Sequence, residues 1–193
     1  MWRNGSDHYG LVSIGFHWAI ALAMLGLVAL GAWMVGLTYY DPWYNLSLAL
    51  HKASGVLLLV LAAAKFGWRV ADRPPGFGPE VKAWERAGAR AMHWLLNAGI
   101  VLLPVTGYLI STSEGAGIDI FGLFDVPALF EISEGTRDLA VDTHFYLSYG
   151  ILALVAVHAG AALKHHLVDR GSTLRRMLIP RSPSRGADRS AGG

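Results

Sequence analysis

Residues 143–163, THFYLSYGILALVAVHAGAAL, hold twenty-one positions in which the only ionisable groups, apart from tyrosine, are two histidines. As an α-helix rising 1.5 Å per residue, this stretch is long enough to cross the ~30 Å hydrocarbon core of a bilayer. Three more runs of that kind occupy residues 14–37, 46–68 and 89–110. The second is the weakest, because its unbroken apolar centre, Ala53 to Ala64, is short. It spans only if Lys52 and Lys65 reach towards opposite interfaces. The first is too long, and too poor in a small-residue cleavage site, to be a removable leader, so it is expected to stay as a span.

Composition supports the same conclusion. The chain of 193 residues is 53% hydrophobic and 16% charged, with a mean hydropathy of +0.39. Soluble domains carry about a quarter charged residues. An ordinary soluble enzyme is excluded, and the expected fold is all-α, an integral membrane four-helix bundle filling residues 1–180. Cysteine is absent. That rules out disulfides, thiolate-held zinc, iron–sulfur clusters and covalently attached c-type haem. Residues 181–193, rich in Arg, Ser, Gly and Pro, are expected to be a disordered basic tail that meets anionic lipid rather than nucleic acid.

The connections sort by charge. Arg69, Arg73, Lys82 and Arg86 lie at or between the second and third spans, and Arg170, Arg175, Arg176, Arg181, Arg185 and Arg189 follow the fourth. No Lys or Arg separates the first span from the second. Between the third and fourth, Arg137 stands alone against Glu114, Asp119, Asp125, Glu131, Glu134, Asp138 and Asp142. The positive-inside rule then puts both termini in the cytoplasm. In the long third connection, residues 118–124 (IDIFGLF) suit an amphipathic helical turn on the membrane surface or a cap over the bundle.

Ionisable groups in a bilayer are costly and mark function. His144 and His158 are fourteen residues apart in the fourth span, so they share one helix face about 21 Å apart along the axis. Between them that face carries Leu147, Ser148, Ile151, Leu154 and Val155. Span direction sets depth: His17 shares the cytoplasmic level with His158, and His51 shares the outer level with His144. Two imidazoles from two helices at one depth are what the axial positions of one haem need. Zinc or copper held by protein alone would want three or four ligands clustered together. His17, His51, His144 and His158 are therefore the expected iron ligands of two haems. His93, at the cytoplasmic level of the third span, is a candidate ligand, a quinone contact or an interface residue. Arg90 lies one turn before it on the same face.

Further short patterns carry a resemblance. Ser13-Ile14-Gly15-Phe16-His17-Trp18, His51-Lys52-Ala53-Ser54-Gly55, Leu103-Pro104-Val105-Thr106-Gly107 and Phe121-Gly122-Leu123 are four of them. The most specific is His158-Ala-Gly-Ala-Ala-Leu-Lys164-His165-His166 with Leu174-Arg175-Arg176-Met177. Together they resemble the bacterial cytochrome b561 family over residues 8 to 180. The resemblance implies a four-helix cytochrome of the bacterial inner membrane with two haems b, ligated by His17, His51, His144 and His158. It also implies electron exchange with the quinone pool and, in some members, oxidation of superoxide at the outer face.

The function expected is thus single-electron transfer between an outer-face donor and quinone. His93 with Arg90 would serve the quinone, and the Lys52 charge would draw an anionic donor such as superoxide towards His51. If the chain is an enzyme, it is a superoxide:quinone oxidoreductase. The alternative is an anchor subunit that relays electrons from a peripheral dehydrogenase or hydrogenase to quinone.

Overall fold

The computed structural model describes residues 2–78 and 81–179. The tail assigned to residues 181–193 lies outside them. The chain forms α1 (Leu11–Met34), α2 (Tyr44–Ala71), α3 (Ala83–Thr112), a hairpin of β1 (Ile118–Ile120) and β2 (Phe124–Val126), α4 (Glu134–Leu167) and the short α5 (Thr173–Leu178). The four long helices are each long and apolar enough to cross a membrane. They run up and down, each packed against its neighbour in sequence, while α1 and α4 barely touch.

The helices extend past the apolar runs because polar residues continue the backbone bonding beyond hydrocarbon. The α4 helix begins nine residues before Thr143, where the Ser133 hydroxyl accepts from the Thr136 N–H at 3.3 Å. The α1 helix stops early, at Met34, and residues 35–36 already turn. In the connection that follows, the Thr38 N–H and hydroxyl hold the Asp41 carboxyl below its ordinary pKa.

The core draws on all four helices: Ile20 and Met24, Leu58 and Ala62, Ile100 and Leu103, and Ile151. Ile151 stands midway between His144 and His158. A Cβ on Gly99 would lie 2.7 Å from the Ile151 Cδ1, so the missing side chain at Gly99 is what lets α3 and α4 close here. On α4, His144, Leu147, Ser148, Ile151, Leu154, Val155 and His158 are all buried or half-buried, whereas the other residues from Phe145 to Val157 are exposed. One strip of the helix faces the bundle and the rest faces lipid.

Residues 118–124 are not a helical turn. Ile-Asp-Ile alternates with period two, and antiparallel pairing sets Ile118, Asp119 and Ile120 opposite Val126, Asp125 and Phe124. The chain reverses through Phe121 (φ 54°) and Gly122 (φ 72°), and the Asp119 carboxylate accepts from the Gly122 N–H at 2.9 Å. Ile118 and Ile120 are buried against Ala53, Val56 and Tyr108, so the hairpin caps one end of the bundle. The Tyr108 hydroxyl fastens it, donating to the Pro127 carbonyl at 2.7 Å and accepting from the Leu129 N–H at 2.8 Å.

The other, basic end is tied together by three chain segments. The Asn4 N–H donates to the buried Asp72 carboxylate at 2.9 Å. Both terminal nitrogens of Arg176 donate to the Gly76 carbonyl, and its guanidinium lies 5.6 Å from the Tyr9 ring centre. The Trp18 indole N–H donates to the Met177 carbonyl at 2.8 Å.

Candidate functional site

The four long helices repeat one spacing. His17 and Gly31 on α1, His51 and Lys65 on α2, His93 and Gly107 on α3, and His144 and His158 on α4 are each fourteen residues apart. Fourteen residues make just under four turns, so each pair lies near one stripe of its helix. Near the hairpin end, the His51 ring lies against Gly31 and the His144 ring against Gly107. At the basic end the corresponding positions are His17, Lys65, His93 and His158. One level thus carries two imidazoles and two glycines, and the other three imidazoles and an ammonium.

The rings meet across helices. His51 and His144 have ring centres 6.1 Å apart, and His17 and His158 6.3 Å apart. A metal–imidazole bond is about 2 Å and the ring centre lies about 1 Å beyond the bound nitrogen, so two imidazoles on opposite sides of one iron have centres about 6 Å apart. Both pairs fit that spacing. His93 approaches His158 to 5.4 Å in an edge-to-face contact, which is shorter than a shared metal requires.

The surroundings of the ring nitrogens also suit a haem. At His144, Nδ1 lies 3.1 Å from the Leu103 carbonyl and 3.0 Å from the Thr106 hydroxyl, which leaves Nε2 for a metal. At His51, Nδ1 is buried and has no hydrogen-bond partner among the described residues. A buried imidazole nitrogen without a partner carries a desolvation cost that a ligand to it would offset.

Of the other residues singled out in the sequence, Lys52 is half-buried beside His51, and Arg90 is exposed. Neither forms a hydrogen bond or ion pair among the described residues, and none joins Arg90 to His93. Lys65 does not reach for an interface. Its ammonium turns into the bundle and donates to the Asn97 carboxamide oxygen on α3 at 2.6 Å. Asn97 was not foreseen, because one asparagine in an apolar run carries no periodic signal. A helical step of four residues from His93 would have marked it as a neighbour.

Among the described residues, one group of His and carboxylates has metal-like spacing: Glu85, His165 and Asp169. The Lys164 ammonium lies 3.1 Å from the Glu85 carboxylate and 2.7 Å from that of Asp169, taking the place a cation would occupy. Lys164, with help from His165, holds the Asp169 carboxyl below its ordinary pKa. The group is an ion-pair clamp between α3 and the end of α4.

Comparison with known proteins identifies the family. The sequence model of the family described as "Prokaryotic cytochrome b561" matches residues 8–179. "Cytochrome b561 homolog 2" of Escherichia coli (strain K12) is 42% identical over 175 residues, covering 91% of this chain and 93% of that protein. "Probable superoxide oxidase CybB" of Yersinia pestis is 25% identical over 171 residues, 88% of this chain and 95% of that one. "Cytochrome b561 homolog 1" of E. coli is 27% identical over 135 residues, covering 70% and 76%.

Proposed function

Since the chain belongs to the prokaryotic cytochrome b561 family of bacterial membrane electron-transfer proteins that bind b-type haem, we propose that it carries two haems b and passes single electrons from an outer-face donor to quinone. The observation that carries this reading is the doubled cross-helix imidazole pair, at 6.1 and 6.3 Å, on two levels of one bundle. His51 and His144 hold one haem, and His17 and His158 hold the other. A haem held between two such imidazoles would supply one-electron chemistry rather than oxygen binding.

The remaining residues take three tasks. Lys52 places a positive charge beside His51, which raises the local concentration of a small anion such as superoxide. The name of the Yersinia relative supports superoxide as that donor. His93, edge-on to His158, offers a ring nitrogen to a quinone carbonyl oxygen and a place to hold a proton. Arg90, one turn away, adds a cation at the membrane surface. The Arg- and Lys-bearing end faces the cytoplasm and the acidic hairpin end faces outward, in the bacterial inner membrane.

The experiment is a reduced-minus-oxidised spectrum of the purified protein with pyridine haemochrome quantification. Two haems b per polypeptide are expected; one haem, or none, overturns the proposal. Quinone reduction driven by superoxide, with no other subunit present, tests the direction of transfer.

A further inference from the structure

Three of the five residues Leu103-Pro104-Val105-Thr106-Gly107 converge on one imidazole. His144 Nδ1 lies between the Leu103 carbonyl oxygen at 3.1 Å and the Thr106 hydroxyl oxygen at 3.0 Å. A carbonyl cannot donate, so its contact requires the proton on Nδ1. The Thr106 hydroxyl gives its own hydrogen to the same Leu103 carbonyl at 2.8 Å, which leaves a lone pair for Nδ1. Only one tautomer satisfies all three groups: Nδ1 protonated and Nε2 bare. Gly107 supplies the room, since a Cβ there would lie 3.1 Å from Cε1 and 3.5 Å from Nδ1 of the ring. His51, across the pair, has no such arrangement, because its Nδ1 meets no hydrogen-bond partner among the described residues.

We propose that this segment is the seat of His144: Leu103 and Thr106 fix its tautomer and basicity, and Gly107 fixes the position of its ring. Thr106 and Gly107 are positioning residues for the electron-transfer centre. The proposal rests on the reading that His144 is an iron ligand. An imidazole whose far N–H is hydrogen-bonded is a more basic ligand and favours the oxidised metal. The segment therefore holds the potential of one haem below the value it would have with an unbonded ring.

The test uses full-length, haem-loaded Thr106→Val, Thr106→Ser, Gly107→Ala and His144→Ala. The readouts are haem content, spectroscopic redox titration and the low-spin ferric resonance signal. Thr106→Val is expected to keep both haems and shift the midpoint of one alone, the same haem that His144→Ala loses, and Thr106→Ser restores it. Gly107→Ala, which keeps the hydrogen bonds but crowds the ring, is expected to shift the resonance signal of that haem. Unchanged midpoints in Thr106→Val overturn the proposal, as does an effect of Thr106→Val and Gly107→Ala on different haems. If Thr106→Val does not assemble, Gly107→Ala decides by the same criterion. Retention of both haems by His144→Ala instead overturns the ligand reading beneath it.

Discussion

His93 and His158 meet edge to face, with ring centres 5.4 Å apart, while His158 also faces His17 at 6.3 Å. One imidazole of α4 thus has two histidine neighbours at unequal distances, and the longer distance is the one a shared iron requires. His93→Ala is accordingly expected to keep both haems and to slow electron transfer from reduced haem to quinone by about a hundredfold or more, the scale on which positioned proton-transfer groups act. An unchanged rate removes His93 from the quinone site. Loss of a haem makes it a ligand.

Ligand pairing has its own signature. His51→Ala and His144→Ala are expected to lose one and the same haem, and His17→Ala and His158→Ala the other. Haem quantification with redox titration of the survivor distinguishes the two. If His51→Ala and His158→Ala lost the same haem, the pairing would be wrong.

Orientation can be read with fusions. A reporter placed after Gly193 is expected to be active only in the cytoplasm, and one inserted near Glu131 only outside. A carboxy-terminal fusion active outside the cytoplasm reverses the proposed topology and exchanges the two levels.

Tyr108→Phe removes a hydroxyl that both donates to Pro127 and accepts from Leu129. With each neutral hydrogen bond contributing about 1 kcal/mol, the hairpin should loosen by about 1–2 kcal/mol. Faster proteolytic cleavage within residues 127–131 at unchanged haem content is the expected result. Equal cleavage rates would show that apolar contacts alone hold the cap.

The clamp around Lys164 gives a pH dependence. The folded-state pKa of Asp169 is depressed, so its stabilising contribution is complete above the ordinary aspartate pKa of about 3.9 and is lost as the pH falls through the lower folded value. Asp169→Asn is expected to lower the neutral plateau slightly, as befits an exposed pair, and to flatten the acid limb of a thermal-stability profile below about pH 4 by the same small amount. A parallel acid limb in the variant assigns that loss to other groups.

Much of the architecture was written in the chain. Four apolar runs gave four long helices because backbone bonding inside lipid leaves few alternatives. Fourteen residues between His144 and His158 put both on one strip, since helix periodicity is local. The hairpin was harder. IDIFGLF is short enough that strand and helix readings compete, and a turn placing Phe121 at positive φ is not what a phenylalanine advertises. The neighbours of the imidazoles were least legible. Leu103 acts through its backbone carbonyl, which carries no residue signature. Gly31 and Gly107 matter for what they lack. Lys65 turned inward because Asn97 stands opposite it, a fact of the α2–α3 register rather than of either sequence run.

The three segments that close the basic end also fix an order of events during synthesis. Asn4 must wait for Asp72, 68 residues later, and Trp18 must wait for Met177, 159 residues later. A chain made from its amino terminus has α1 and α2 paired long before α5 leaves the ribosome. The seam between α1 and α4, where His17 meets His158, is therefore the last to form, and the bonds of α5 latch the end beneath it.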